Sequence, residues 1–579
     1  MREIGEYLAM DDVPFKPRAY EKVAQVVEGM QQELSELYQK GGTRALMEIE
    51  GIGKEIAAKI EELIKTGKLQ YYEQLKKATP VDLSTLTHIE GLGPKKIIRL
   101  YRELNIKTLA DLEKAVAGGK IAKLAGFGVQ SERNIAKGIE FLKRSSGRYI
   151  LGFTMPQIRM FEERLKHLKE VETIIVAGSV RRRKETIGDV DMLVVSKKPH
   201  LIMDFFVNMP EVEHVYAHGP TKSSIKTKFG YDIDIRVVPK ESYGAALNYF
   251  TGSKDHNVAI RELALKKGWT LNEYGLYEQR ANGKEQGATG KLKGKLIAGK
   301  TEKEIYKKLG LDYIEPELRE NTGEIEAARQ NKLPKLIGYD DLRGDLQVQT
   351  NWTDGADSIE IMARTALSRG LEYIAITDHT KRLAMTGGLD EKKIIKQWKE
   401  IDETNAKFKK EDLRFTILKG TECDILPDGS LDLPDSILKQ LDIVGVSVHS
   451  RFNLSRKEQT SRIIKAISNP HADIFFHPSG RLIGKRDPYD FDFEEVMKVA
   501  KATGTVLEID ALPDRADLKA EYIRRCVQYG VKMSIDSDAH SNQHFNYLEY
   551  GISQARRGWA EKKDIINCWP VEKMLKMLK

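Results

Sequence analysis

Apolar and polar positions change their spacing twice along this chain, and the changes divide it into three stretches. Up to about residue 145 the apolar residues recur at helical spacing with short turns between them. Three runs repeat there: I-E-G-I-G-K-E-I-A-A-K-I (Ile49 to Ile60), I-E-G-L-G-P-K-K-I-I-R-L (Ile89 to Leu100) and L-A-G-F-G-V-Q-S-E-R-N-I (Leu124 to Ile135). Each offers an apolar residue, a G-x-G turn and then a helix with basic residues. The middle stretch has helical spacing from Pro156 to Val171 and then two apolar strands, Thr173 to Val176 and Val190 to Val195. The polar run from Glu317 to Pro334 lacks a buried-strand pattern and reads as a linker. Beyond it strand-like segments such as L-E-Y-I-A-I-T-D-H, L-D-I-V-G-V-S-V-H and V-K-M-S-I-D-S-D-A-H alternate with helical ones, which predicts a parallel α/β barrel. The expected fold class is therefore multidomain: an all-α N-terminal part, an α+β middle and a C-terminal α/β barrel.

Composition narrows the setting. A chain of 579 residues exceeds one hydrophobic core, and a net charge of +8 suits a polyanionic partner without proving one. The three cysteines, Cys423, Cys526 and Cys568, are too far apart for a disulfide framework or a zinc ribbon, so a reducing compartment is expected. No apolar run reaches the length of a membrane span and the N-terminus lacks a signal-peptide pattern, so a soluble cytoplasmic protein, with no membrane partner, is expected.

The chemistry concentrates in A-G-S-V-R-R-R-K-E-T-I-G-D-V-D-M-L-V-V, Ala177 to Val195. Residues two apart on a strand share a face, so Asp189 and Asp191 lie together, and paired carboxylates are costly unless a cation neutralises them. Gly178 and Ser179 offer backbone N–H groups to a phosphate, and Arg181 to Arg183 can grip its oxygens. Asp232 and Asp234 in Y-D-I-D-I-R-V-V-P add further carboxylates. A D-x-D at a strand edge is common by itself. Joined to the Gly-Ser turn, the arginines and a second acidic strand, it reads as phosphoryl or nucleotidyl transfer. In the last stretch His379, Glu422, His449, His477, Asp538 and His540 stand at the C-terminal ends of predicted strands, where barrel active sites are built.

The middle run resembles the nucleotidyltransferase signature of the DNA polymerase X family, the relatives of DNA polymerase beta. The resemblance implies that Asp189, Asp191 and Asp234 are metal-binding and catalytic, with Asp234 activating a primer 3′-hydroxyl and Asp232 outside the metal shell. Gly178, Ser179, Arg182 and Gly188 would then bind the nucleotide. Y-F-T-G-S continues the match, placing Tyr249, Phe250 and Gly252 beside the incoming sugar and base, with Asn257 and Arg261 toward the nascent pair and template. Lys254 stands where relatives carry an acid. The three repeats resemble helix-hairpin-helix DNA-binding motifs, which makes Gly51, Gly53, Gly91, Gly93, Gly126 and Gly128 backbone-phosphate contacts. Lys59, on the helix opened by the first repeat, matches the lysine that forms a Schiff base with an abasic sugar in polymerase beta-like proteins.

The C-terminal stretch resembles the PHP (polymerase and histidinol phosphatase) domain that follows the core of bacterial family X polymerases. Its metal ligands would be Asp354, His379, Glu422, His449, His477, Asp538 and His540, with Arg481 and Arg515 toward phosphate. The family's opening D-L-H-x-H-T reads D-L-Q-V-Q-T here, with Gln347 and Gln349 in both histidine positions. A glutamine amide does not replace an imidazole for a borderline metal, so a 3′-5′ exonuclease is expected to be weak or lost. Carbonyl oxygens supporting manganese is the opposing reading. The implied cofactors are Mg2+ or Mn2+ in the palm and Mn2+ or Zn2+, at reduced occupancy, in the barrel. The implied partners are gapped or primer-template DNA and dNTPs, and a monomer is expected. The implied organisation is 1–80 (5′-phosphate-binding), 81–145 (fingers-like hairpins), 146–238 (palm), 239–318 (thumb), 319–338 (linker) and 339–579 (PHP). Rival readings are a template-independent or RNA-directed nucleotidyltransferase, a DNA-binding scaffold, and a phosphoesterase centred on the barrel.

Overall fold

The computed structural model describes residues 1–10, 16–30, 34–49, 51–87, 89, 92–145, 147–278 and 294–578. The chain divides into two compact units, residues 1–146, 338–552 and 563–579 in one, and 147–337 with 553–562 in the other.

In the first unit the three repeated runs fold alike, because each places apolar side chains three residues apart around its turn. Ile49 N donates to Leu46 O (3.2 Å) and Ile52 N to Ile49 O (3.1 Å); Ile89 repeats this on Leu86 (3.2 Å) and Leu92 on Ile89 (3.0 Å); Leu124 repeats it on Ile121 (3.1 Å) and Phe127 on Leu124 (3.0 Å). Leu46, Ile52, Leu86, Ile89, Leu92, Ile121 and Phe127 are all buried, so each turn is anchored from inside, while Gly51, Gly53, Gly93, Gly126 and Gly128 stay at the surface. The helices that follow are Lys54–Thr66, Pro94–Leu104 and Val129–Ser145.

The same unit contains a parallel sheet of seven strands in sequential order: Gly344–Val348, Tyr373–Ile376, Thr416–Asp424, Ile443–Ser447, Ile474–Phe475, Val506–Asp510 and Met533–Asp536. Their residues are almost all buried, as expected of strands covered on both faces. A parallel bridge from Val348 to Ala539, with Gln349 N donating to Ala539 O (2.8 Å), nearly closes the sheet into a barrel. Lys22 Nζ donates to Gly355 O (3.1 Å), tying the N-terminal helices to the barrel's first loop.

The second unit is built on a five-stranded sheet ordered Thr173–Val176, Asp189–Val195, Asp232–Val238, Lys222–Thr227, Val212–His218. Asp189–Val195 and Asp232–Val238 pair in parallel, and the other neighbours are antiparallel. A smaller three-stranded antiparallel sheet and the helices Tyr243–Thr251, Lys254–Lys266 and Glu302–Leu309 complete it. The run from 319 to 338, expected as a linker, is largely part of this fold. Arg319 and Glu324 are fully buried and Glu324–Arg329 is a helix. The run looks solvated because its polarity is high, but Arg319, Glu320 and Glu324 are held inside the protein by Glu302, Arg182 and His256. Among the described residues no helix is long and apolar enough to cross a membrane.

Candidate active sites

Parallel pairing puts Asp189 opposite Asp232 and Asp191 opposite Asp234, so the acidic pairs of the two strands share one edge. Alternation keeps Val190 and Ile233 in the core and leaves the aspartates partly accessible. The Gly178 turn passes directly over Asp191: its φ is +60°, and a Cβ there would lie 2.7 Å from Asp191 Oδ2. Only glycine allows that approach. Burial pushes the Asp191 carboxyl up to about 7, with repulsion from Asp189 and Asp234 adding to it and Arg236 and Lys222 opposing it. Lys222 Nζ lies 3.2 Å from Asp234 Oδ2. Carboxylates that share a strand edge and repel one another, with a lysine ammonium beside Asp234, are a donor set of the kind a divalent cation takes.

The residues expected to meet the nucleotide contact one another as follows. Arg182 donates to Thr251 O and, through Nε, to Glu320 Oε1 at 3.1 Å. Tyr249 is exposed and packs edge-on to Phe250, which also lies under the Arg236 guanidinium at 4.7 Å. Asn257 Nδ2 donates to Tyr249 O (2.7 Å), and Arg261 Nε to Asn257 O (3.3 Å). Gly252 follows at φ +68°, whereas Gly188 is exposed beside Asp189.

Sequence reading missed a buried polar lattice behind this segment. Arg181 makes a fork to Glu302 (2.6 and 2.9 Å) and reaches Thr251 Oγ1 (2.6 Å), while Arg319 takes the other side of Glu302 (2.5 Å). Burial would raise the Glu302 carboxyl, but Arg319 and Arg181 hold it at about 2. Nearby, His256 joins Glu324 (2.6 Å) to Tyr306 (2.9 Å), which donates to Asn248 (3.1 Å). No motif marks these acids, since each lies alone in a charged run.

In the hairpins, Gly53 and Gly93 are helix N-caps at φ −77° and −76°, values any residue adopts. A Cβ at Gly53, Gly93 or Gly128 would meet nothing within 4 Å. Neither backbone strain nor packing requires glycine at Gly53 or Gly93. Gly51 and Gly126 instead carry φ of +82° and +77° and shape the turn. Gly91 lies outside the described residues. Lys59 is half-buried, its ammonium 4.9 Å from the Tyr71 ring and 5.9 Å from that of Tyr20.

At the barrel's strand ends the expected ligands converge. Glu422 is fully enclosed, with His477 Nε2 at 2.8 Å, His449 Nε2 at 3.0 Å and His379 Nδ1 at 3.2 Å from its oxygens. Ligand atoms of Asp354, His379 and His540 lie within 4.8 Å of one another, as do those of His379, Glu422 and His449. Asp538 faces His540 at 3.8 Å, and both His477 and Asp538 have positive φ (28° and 47°), the kind of strain found at functional strand ends. Asp354 Oδ1 is buried without a hydrogen bond and stands in one of these two clusters, so the retained donors fit a divalent metal. Gln349 Nε2 donates to Glu422 Oε2 at 2.9 Å, and its buried Oε1 makes no hydrogen bond. Gln347 is fully buried on the same strand. Asp424, 3.4 Å from His449, and Asp510 were not anticipated. Arg515 bridges Asp510 (3.3 Å) and Asp538 (3.2 Å), and Arg481 donates to the carbonyls of Arg515 and Ala516. Both arginines expected at phosphate are thus engaged inside the protein.

An acidic strand edge beside a glycine turn, glycine hairpins and a histidine-lined parallel barrel are the parts of a polymerase core followed by a PHP-type barrel. Family models agree: a helix-hairpin-helix domain matches residues 1–69, a SAM-like helix-hairpin-helix tandem 43–105 and 83–140, the DNA polymerase beta thumb 246–320 and the PHP domain 345–551. The chain is 36% identical over 570 residues to the DNA polymerase/3′-5′ exonuclease PolX of Bacillus subtilis (strain 168), covering 98% of this chain and 96% of that protein. It is 27% identical to DNA polymerase lambda of Arabidopsis thaliana over 47% of this chain and 53% of that one. A probable phosphatase of Thermoanaerobacter sp. (strain X514) matches at 34% over 31% of this chain and 70% of its own length. The chain belongs to the DNA polymerase X family, in its bacterial form with a C-terminal PHP domain.

Proposed function

We propose that this X-family DNA polymerase fills short gaps in DNA during repair. The observation that carries the reading is the shared edge of Asp189, Asp191 and Asp234, with Asp191 pushed up to about 7 by burial and by its two acidic neighbours. Divalent ions, Mg2+ or Mn2+, would neutralise that edge when bound and make the primer hydroxyl more acidic. Asp189 and Asp191 would hold them. Asp234 receives the proton of the primer 3′-hydroxyl as that oxygen attacks the α-phosphate of the dNTP, and pyrophosphate leaves. Arg182 and the N–H groups of Gly178 and Ser179 hold the triphosphate. The Tyr249–Gly252 turn crowds a ribose 2′-hydroxyl and so favours deoxynucleotides. The hairpin glycines receive backbone phosphates, the first hairpin takes the 5′-phosphate of the gap, and Lys59 is the candidate for Schiff-base chemistry there.

In the barrel, Asp354, His379, Glu422, His449, His477, Asp538 and His540 would hold Mn2+ or Zn2+. We infer that its 3′-5′ exonuclease is weak or absent, because Gln349 presents a donor to Glu422 where the family has an imidazole. The test of the polymerase reading is extension on a gapped duplex by the full chain, with dNTP and rNTP compared. Asp191→Ala should abolish extension, by on the order of a thousandfold or more, while the mobility shift with gapped DNA is retained. Extension that survives, or preference for rNTP, would sink the reading.

A further inference from the structure

The segment that follows the PHP match contributes to the polymerase unit, which includes residues 553–562. Gln554 Nε2 donates to Glu185 Oε2 (2.9 Å) and Arg556 Nε to Glu317 Oε1 (2.7 Å), pinning the segment from both sides. Between them in space stands one carboxylate with three cations. Glu320 Oε1 accepts from Arg182 Nε (3.1 Å) and from Arg557 Nη1 (3.1 Å), and Lys184 Nζ is 3.8 Å away. The Arg557 Nη1 also donates to the main-chain oxygen of Arg182 at 2.9 Å. Arg557 is 10% exposed, Arg182 13% and Glu320 22%, so water does little to screen this cluster. Burial alone would raise the Glu320 carboxyl, yet Arg557, Arg182 and Lys184 hold it below its ordinary value.

We propose that Arg557 is a positioning residue for nucleotide binding: it fixes the Arg182 backbone and shares Glu320, so that Arg182 can exchange this carboxylate for an incoming triphosphate. The proposal rests on the reading that Arg182 grips that triphosphate. The physical ground is the cost of leaving a charge alone. A buried carboxylate with a single cation resists losing it, because departure strands an unpaired charge. With Arg557 in place, Glu320 keeps a hydrogen-bonded partner when the Arg182 guanidinium turns away; without it only Lys184, 3.8 Å off, remains. The contact to the Arg182 carbonyl meanwhile holds the main chain from which that guanidinium swings.

The test is steady-state filling of a one-nucleotide gap by the full chain, with KM for dNTP and kcat measured separately. Arg557→Ala should raise KM about tenfold, with kcat and DNA affinity little changed. Adding Glu320→Gln should return KM to within about twofold of the parent, because Arg182 then has no carboxylate to leave. Arg557→Gln, which keeps a donor for the Arg182 carbonyl, covers the case in which the alanine variant melts early, and its KM defect should be rescued likewise. A merely structural Arg557 predicts a defect that Glu320→Gln does not rescue, and that result overturns the proposal. Arg182→Ala is run beside them. If it raises KM while both Arg557 variants match the parent, only this proposal falls. If Arg182→Ala also leaves KM unchanged, the reading of Arg182 falls with it.

Discussion

In the palm, Asp189, Asp191 and Asp234 face one another across two parallel strands, and the field on Asp191 is dominated by burial and repulsion. In the barrel, Glu422 sits deeper still, but three imidazoles and the Gln349 amide surround it. Burial would raise its carboxyl, whereas His379 and His449, with the His477 contact, hold it well below the ordinary value. One site accumulates negative charge that the protein leaves for a cation. The other has satisfied its central acid from within. Gln349 adds an N–H donor to Glu422 from the first strand.

The largest expected effect comes from reversing that donor. Gln347→His with Gln349→His returns imidazoles to the first strand and replaces an N–H that competes with a cation for Glu422 by a nitrogen lone pair. Metal retained after dialysis, measured by elemental analysis, should increase, and Mn2+-dependent degradation of labelled single-stranded 3′ ends should increase by about a hundredfold. Gap filling should not change. Equal degradation by the parent and restored proteins would mean that the barrel was never silent, and the contrast between the sites would collapse.

A smaller effect tests the sign of the contrast directly, in chelator and by thermal unfolding. Glu422→Gln leaves buried imidazoles without their anion and should destabilise the barrel-containing unit by about 3 kcal/mol. Asp191→Asn removes a carboxylate that the fold disfavours, so its unit should melt at the same temperature or higher. The pH dependence follows. A carboxyl raised to about 7 in the folded state contributes stability that is complete below its unfolded value and disappears as pH rises through about 7. Parent and Asp191→Asn should therefore differ most above pH 7 and converge in acid. Destabilisation of both variants at pH 8 would remove the distinction.

Much of this architecture could be read from residue order because it is written locally. Asp189–Val195 and Asp232–Val238 show as strands in two apolar alternations, each starting with D-x-D, and the barrel in strand-like segments alternating with helical ones. Repeated G-x-G turns before basic helices made the hairpins visible, and the apolar steps at 46/49/52, 86/89/92 and 121/124/127 hold them. What escaped was long-range pairing of charges. Glu302 with Arg181 and Arg319, Glu324 with His256, and Glu320 with Arg182 and Arg557 join residues far apart in sequence, and each member alone resembles a solvated side chain. The same blindness turned 319–338 into a linker. Arg515 and Arg481 show the converse error, since an arginine near a metal-ligand motif suggests phosphate until the carboxylates and carbonyls that hold it are seen.

The hairpins extend the comparison to a site whose expected contacts are backbone N–H groups rather than carboxylates. At Gly53 and Gly93 the backbone is ordinary and the space around the missing Cβ is open, so aspartate should be welcome to the fold: it ranks among the best N-caps and interacts favourably with a helix N-terminus. It should be unwelcome to DNA, because it places a carboxylate where a phosphate is expected. Gly53→Asp with Gly93→Asp should therefore keep or raise the melting temperature while weakening binding to gapped DNA by about tenfold at low salt. The slope of log K against log salt should become shallower as phosphate contacts are lost. Gly126→Ala is the internal control, since φ of +77° and the Arg99 guanidinium 2.9 Å from the new Cβ make that glycine structural, and it should cost about 1 kcal/mol of stability. If the aspartates lower stability and leave binding intact, the open faces of the hairpins are not where DNA sits.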